Sequence, residues 1–365
     1  MLISGTPTRT IWRSDEPSEN AVMIIDQTRL PHEFVLHRLT TLDDAAEAIS
    51  VMRVRGAPLI GATAAYGMAL AAMKAADDTA LLAAGEQLIA TRPTAVNLRW
   101  AVQRVLAQLL PLPVAQRVQT AWAEAAAICE EDVAQNRAIG QHGLALLQAI
   151  AGQKSGRLNI LTHCNAGWLA TVDWGTALAP IFAAAAAGLD VHVWVDETRP
   201  RNQGASLTAW ELQQAGIAHH VIADNAGGHL MQHGEVDVCI VGTDRTAANG
   251  DVCNKIGTYL KALAAFDNGV PFYVAAPGPS IDFALPDGGQ IPIEERDAAE
   301  VACIQGRDAA GRVVLVQLTP EGSPAANPAF DVTPARLVTG LITERGVCAA
   351  NPAALAALFP ERGAA

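Results

Sequence analysis

Two residues stand where a polar side chain follows an apolar run, and both carry groups able to move protons. Cys164 comes after Leu158 to Thr162 and before Asn165-Ala166-Gly167, which reads as the opening of a helix. A thiol placed there faces backbone N–H groups and a positive dipole end, which favour thiolate from an unperturbed pKa of about 8.5. The competing reading is a small buried hydrophobe, the commoner fate of a lone cysteine. Asp244 follows Val236 to Val241 and suits a general acid or base if burial raises its pKa. Capping a helix or pairing with Arg245 is the alternative.

A second set of residues suits anions and hydroxyls. Asn249-Gly250-Asp251-Val252-Cys253-Asn254-Lys255 runs into the apolar stretch 256–263. With Asp251 as N-cap, Asn254 and Lys255 fall in a first helical turn, a place for a phosphate or a sugar hydroxyl. Gln203-Gly204-Ala205-Ser206 reads as another helix start, where Gly204 lets a ligand approach the backbone. Arg55-Gly56-Ala57-Pro58 sets a guanidinium beside free amides, an anion clamp, and Arg92 before Pro93 offers a second. Taken singly, each is also explained by ordinary capping or a surface ion pair.

The elements that must position these residues follow from the hydrophobic pattern. Short β-rich runs at Leu158 to Thr162, Val191 to Val195, His220 to Ala223, Val236 to Val241 and Phe272 to Ala275 alternate with helical stretches. Such alternation predicts a parallel sheet flanked by helices, with all strand carboxyl ends on one edge, where open α/β sheets bind ligands. The polar residues that end these runs therefore converge. Upstream, Ala21 to Gln27 and Glu33 to Leu39 read as a β-hairpin, and from Leu42 to about Ile150 the chain is Ala/Leu-rich and helical, with Pro58 and Pro93 each in the first turn of a new helix. The polar Gly152 to Gly156 reads as a linker. The expected fold is α/β, with a small, mainly helical N-terminal domain carrying a hairpin (1–152) and a Rossmann-like parallel-sheet domain (153–365).

Composition narrows the function. A net charge of -12, from 25 basic and 37 acidic residues, is the wrong sign for a general nucleic-acid binder. The six cysteines lack C-x-x-C pairing, and no H-E-x-x-H spacing occurs, so neither a disulfide framework nor a metal site is indicated. No signal-peptide core opens the chain, which predicts a cytoplasmic protein. The uncharged stretch from Gly56 to Met73 is rich in Ala and Gly and reads as a buried helix rather than a membrane span. Dinucleotide and P-loop glycine motifs are missing from the expected strand-to-helix turns.

Several separated motifs occur in one order: Arg55-Gly56-Ala57, Thr162-His163-Cys164-Asn165, Glu197-Thr198-Arg199-Pro200, Gln203-Gly204-Ala205, Gly242-Thr243-Asp244-Arg245, Asn249-Gly250-Asp251 and Asn254-Lys255-Ile256-Gly257-Thr258. Together they resemble the methylthioribose-1-phosphate isomerase family, from about residue 20 to residue 348. The resemblance implies a homodimeric aldose–ketose isomerase of methionine salvage that acts on a sugar phosphate without metal or cofactor. It implies Cys164 and Asp244 as catalytic, with Arg55, Gly56, Ala57, Arg92, Gln203, Asn254 and Lys255 contacting substrate. The same superfamily holds isomerases of ribose 1,5-bisphosphate or 5-deoxyribose 1-phosphate. It also holds non-catalytic regulatory subunits of the translation initiation exchange factor.

Overall fold

A computed structural model describes residues 1–14 and 20–362. Near the N-terminus three short strands, Ile11–Arg13, Val22–Ile25 and Leu36–Leu39, form an antiparallel sheet. The predicted hairpin is its second and third strands; the first had too few residues to show a period. Five helices follow: α1 (Leu42–Ser50), α2 (Ala57–Lys74), α3 (Asp78–Thr91), α4 (Val96–Leu109) and α5 (Val114–Ala151). Local chemistry explains several of their starts. Thr41 and Asp44 form a reciprocal capping box on α1, and Asp77 accepts from Ala80 N–H at the head of α3. Pro58 lies in the first turn of α2, as expected, whereas Pro93 lies in the turn before α4, because Arg92 ends α3 and the helix resumes only at Val96.

Helix α2 is apolar around its whole circumference and is accordingly buried against α1, α3, α4 and α5. Among the described residues no helix is long and apolar enough to cross a membrane. At 38 residues α5 is about 57 Å long, more than one compact core can cover. Its first half packs Ala121, Trp122, Ala125, Ile128 and Cys129 into the helical core, and its second half sends Ile139 and Leu147 into the core under the sheet.

The sheet has six parallel strands, here β1 (Leu158–Thr162), β2 (Val191–Asp196), β3 (Ala218–Ile222), β4 (Val238–Val241), β5 (Phe272–Ala275) and β6 (Gly340–Thr343). Their spatial order is 6-5-4-1-2-3, and the short strand Gly346–Cys348 adds antiparallel to the β6 edge. This is the doubly wound, Rossmann-like arrangement expected from the alternation. The third strand starts two residues earlier than its sequence run, at Ala218, and the sixth strand was not anticipated. Helices cover both faces, with apolar cores on each side. The order reverses between β1 and β4, whose neighbouring register pairs Ile160 with Val238. That switch point opens a crevice beyond the carboxyl ends of the two strands.

Candidate active site

Cys164 follows β1 and Asp244 follows β4, so the two residues flank the switch point. Both line a small cleft of about 40 Å³ together with Arg55, Gly56, Ala57, Asn165, Asn254 and Ser280. Cys164 is buried and held in a left-handed conformation with φ of 67°. Its N–H donates to Thr198 Oγ1 at 2.8 Å, and its carbonyl accepts from Thr208 Oγ1 at 2.8 Å. No α-helix opens after it. The next element is a single 3-10 turn, Trp168–Ala170, so the expected dipole is missing, and burial instead pushes the thiol pKa up. Arg55 and Lys255 oppose that rise, and the Arg55 guanidinium lies 3.9 Å from the sulfur.

Arg55 reaches this place from the helical half. It donates to Asn165 Oδ1 at 2.6 Å and to the Asn165 carbonyl at 2.9 Å. Asn165 is oriented in turn by Glu211, which accepts from its Nδ2 and from the N–H groups of Trp168 and Leu169. Gly56 closes the joint between the halves: at φ 86° a Cβ would fall 2.4 Å from the Ala170 carbonyl oxygen. The N-terminus of α2 therefore opens onto the cleft with no side chain capping it.

Asp244 donates its N–H to the Cys253 carbonyl and keeps partial exposure along the cleft. Burial raises its carboxyl pKa, against the pull of Lys255, Arg92 and Arg55. Asn254 and Lys255 are not in a helix. They end the strand Val252–Lys255, which pairs with Arg245–Ala247 and Phe330–Thr333, and the helix begins only at Thr258. Asp251 is no cap; it accepts from the N–H groups of Gly288 and Ala335. Lys255 is buried, its ammonium 4.5 Å from the Phe330 ring, and burial lowers its pKa while Cys164 and Asp244 resist the change.

Besides Lys255, two predicted residues do not line the inner cleft. Arg92 is paired with Glu294 at 3.1 Å. Gln203 lines a neighbouring cavity of about 290 Å³ that shares Arg55 with the cleft. It leads into a π-helical turn, Gly204–Thr208, and the space a side chain at Gly204 would take belongs to the Asp196 carbonyl oxygen, 1.7 Å from an added Cβ, not to a ligand.

Sequence reasoning passed over His163, whose Nδ1 meets Asp196 at 2.8 Å and whose Nε2 meets the Ile256 carbonyl at 2.8 Å. It thereby ties the β1 end to the segment after Lys255. His163, Asp196 and Asp224 group closely enough to hold a cation, but Lys261 already brings an ammonium to Asp196 at 3.1 Å. Ser280 was also missed; it is buried in the cleft wall, and its hydroxyl has no partner among the described residues.

Residues 53–350 match the initiation factor 2 subunit family. The chain is 66% identical to the methylthioribose-1-phosphate isomerase of Rhodospirillum rubrum, over all of this chain and 95% of that protein. It belongs to this family, among its methylthioribose-1-phosphate isomerases. The resemblance read from the motifs is thus borne out, and this family member is an enzyme, an isomerase. The fold of 5-methylthioribose 1-phosphate isomerase from Pyrococcus horikoshii superposes with a TM-score of 0.83 at 40% identity, covering 98% of this chain and 97% of that one. A translation initiation factor eIF-2B delta subunit from A. fulgidus gives 0.80 at 38% identity, covering 97% and 100%. The family fold therefore serves more than one named role, and the site decides between them.

Proposed function

We propose that this isomerase converts 5-methylthioribose 1-phosphate into 5-methylthioribulose 1-phosphate, a step of methionine salvage, as a cytoplasmic homodimer built from units 1–152 and 153–365. The observation that carries the reading is the convergence of Cys164, Asp244, Arg55 and the open N-terminus of α2 on one cleft. Arg55, the amides at Gly56 and Ala57, and Lys255 supply positive charge for a phosphate in a chain that is acidic overall, and Arg92 adds its field at Asp244 while paired with Glu294. Asn254 and Gln203 offer polar groups for sugar hydroxyls.

The substrate sets a chemical problem. Phosphate on the anomeric oxygen prevents simple hemiacetal opening, so the ring oxygen must be protonated as its bond to C1 breaks. Asp244, with a raised pKa, is the acid. Hydrogen then moves from C2 to C1, the C2 hydroxyl loses its proton as the ketone forms, and Asp244 is reprotonated. Cys164, a neutral thiol beside Arg55, orients and shields the reacting carbons. A thiol held neutral is a poor base, so a label on C2 is carried to C1: substrate deuterated at C2 should yield ketose that retains deuterium at C1, and wash-out to solvent would overturn this route.

The larger cavity favours a methylthio end over a second phosphate. Its walls include Leu30, Met52, Leu207 and Ile304, and of its two guanidinium groups Arg201 is paired with Glu300 at 2.8 Å while Arg55 is turned to Asn165 at the inner cleft. The deciding assay is ketose formation by the purified chain from 5-methylthioribose 1-phosphate, with ribose 1,5-bisphosphate in parallel. Absence of product from the first at saturation would move the reading to the related sugar phosphate or to a non-catalytic subunit.

A further inference from the structure

The cavity beside Arg55 is lined by three amide side chains whose buried oxygens have no partner among the described residues, Gln27, Asn202 and Gln203. Gln203 belongs to the Gln203-Gly204-Ala205 motif, and Asn202 directly precedes it. Gln27 lies apart from that motif; it comes from the N-terminal sheet, just beyond the strand Val22–Ile25, and is only 5% exposed. Its backbone N–H donates to the Arg53 carbonyl at 3.0 Å, and its Nε2 donates to the Leu169 carbonyl at 2.7 Å. The second bond fixes the amide orientation. Exchanging nitrogen and oxygen would press two acceptor oxygens together, so the unpaired atom is the oxygen. Folding thus holds a desolvated acceptor in the wall of a cavity, an arrangement that is costly unless a ligand donor completes it.

We infer that Gln27 is a substrate-binding residue whose Oε1 accepts a hydrogen bond from the 3-hydroxyl of the sugar. The inference rests on the isomerase reading above. Carbon 2 reacts, so its hydroxyl must meet Cys164 and Asp244 in the inner cleft. Gln27 lines the outer cavity and not that cleft, which leaves the non-reacting hydroxyl at C3 as its donor. Arg55 borders both spaces and keeps the two ends of the sugar in register. Because Gln27 is fixed by Arg53 on one side and Leu169 on the other, it reads the hydroxyl from a rigid support.

The test crosses protein variants with a substrate lacking the 3-hydroxyl. Wild-type enzyme should process the 3-deoxy analogue with kcat/KM lower by about 10- to 100-fold, since a buried acceptor is then left unpaired. Gln27→Met should lower kcat/KM for the parent sugar by a similar factor and change that for the analogue by less than about threefold. Gln27→Asn, which withdraws the oxygen by one methylene while keeping the amide, should show the same selective loss and guards against a Met variant that does not fold. Equal losses on both sugars would make Gln27 a tether for Leu169 only, and an unchanged parent rate would remove it from the site. Wild-type enzyme that yields no ketose from the parent sugar sinks the isomerase reading itself, and this inference with it.

Discussion

At the scale of single residues, the roles proposed for chemistry and for binding separate by charge. Asp244 must be protonated to act as an acid, and burial raises its pKa above the ordinary 3.8. The acid form is lost as pH climbs through that raised value, so kcat should fall on the alkaline side, and a kcat that keeps rising with pH would contradict the role. Asp244→Asn should abolish turnover while calorimetry still detects sugar-phosphate binding. Lys255 works in the opposite sense. Its pKa lies below the ordinary 10.5, so its charge is shed at a lower pH than usual, and KM should climb there without a matching drop in kcat. Asp244 was legible because it follows an apolar run at a sheet edge, whereas Lys255 was singled out through a helix start that is in fact a strand. Gln27 and Ser280 were not legible, since an unpaired buried oxygen is a property of three-dimensional surroundings and leaves no spacing in the chain.

At the scale of elements, the candidate cleft depends on how the π-helical turn and α6 (Ala209–Gln214) are seated. Glu211 on α6 accepts three hydrogen bonds from the loop after Cys164, and that loop receives Arg55. Glu211→Ala would leave buried donors without an acceptor, at about 1–3 kcal/mol for each group left unpaired. Urea unfolding should register a loss of at least that size, and kcat should fall with it as Arg55 loosens. A variant of wild-type stability would show that water or repacking replaces the carboxylate. Gly204→Ala should destabilise as well, because its Cβ would collide with the Asp196 backbone. The misread element is instructive. Asp251 ahead of Asn254, Lys255 and the apolar stretch 256–263 has the local form of a helix start, yet Val252–Lys255 is a strand because Phe330–Thr333, at least 75 positions away, supplies its partner. Pairing over such a distance overrides a local capping signal.

At the scale of the whole molecule, a single carboxylate reports how the halves meet. Asp132 on α5 is buried and accepts from Val172 N–H at 2.7 Å, and burial raises its pKa from 3.8 to about 7. Between those values the folded protein binds more proton than the unfolded chain, so this group's contribution to stability declines as pH rises through the window. Asp132→Asn removes the titration but keeps an acceptor for Val172. Relative to that variant, wild-type Tm should therefore drop between about pH 4 and about pH 7 and stay parallel above, whereas a constant gap would show that Asp132 titrates normally. The order of the halves and the parallel sheet were readable from alternating texture. The depth to which α5 enters both cores was not, because its apolar positions look alike whichever core receives them.

That shared helix has a practical corollary. The stretch 152–157 that ends it is exposed, and Gly156 has nothing near its missing side chain. Since α5 remains lodged under the sheet through Ile139 and Leu147, cutting the polypeptide after Gly152 severs a covalent link without disturbing the packing that holds the halves together. Two separately encoded pieces, 1–152 and 153–365, should find each other during co-expression, purify as one complex and regain ketose-forming activity. The molecule is in this sense a ready-made split enzyme, with α5 as the plug and the underside of the sheet as its socket.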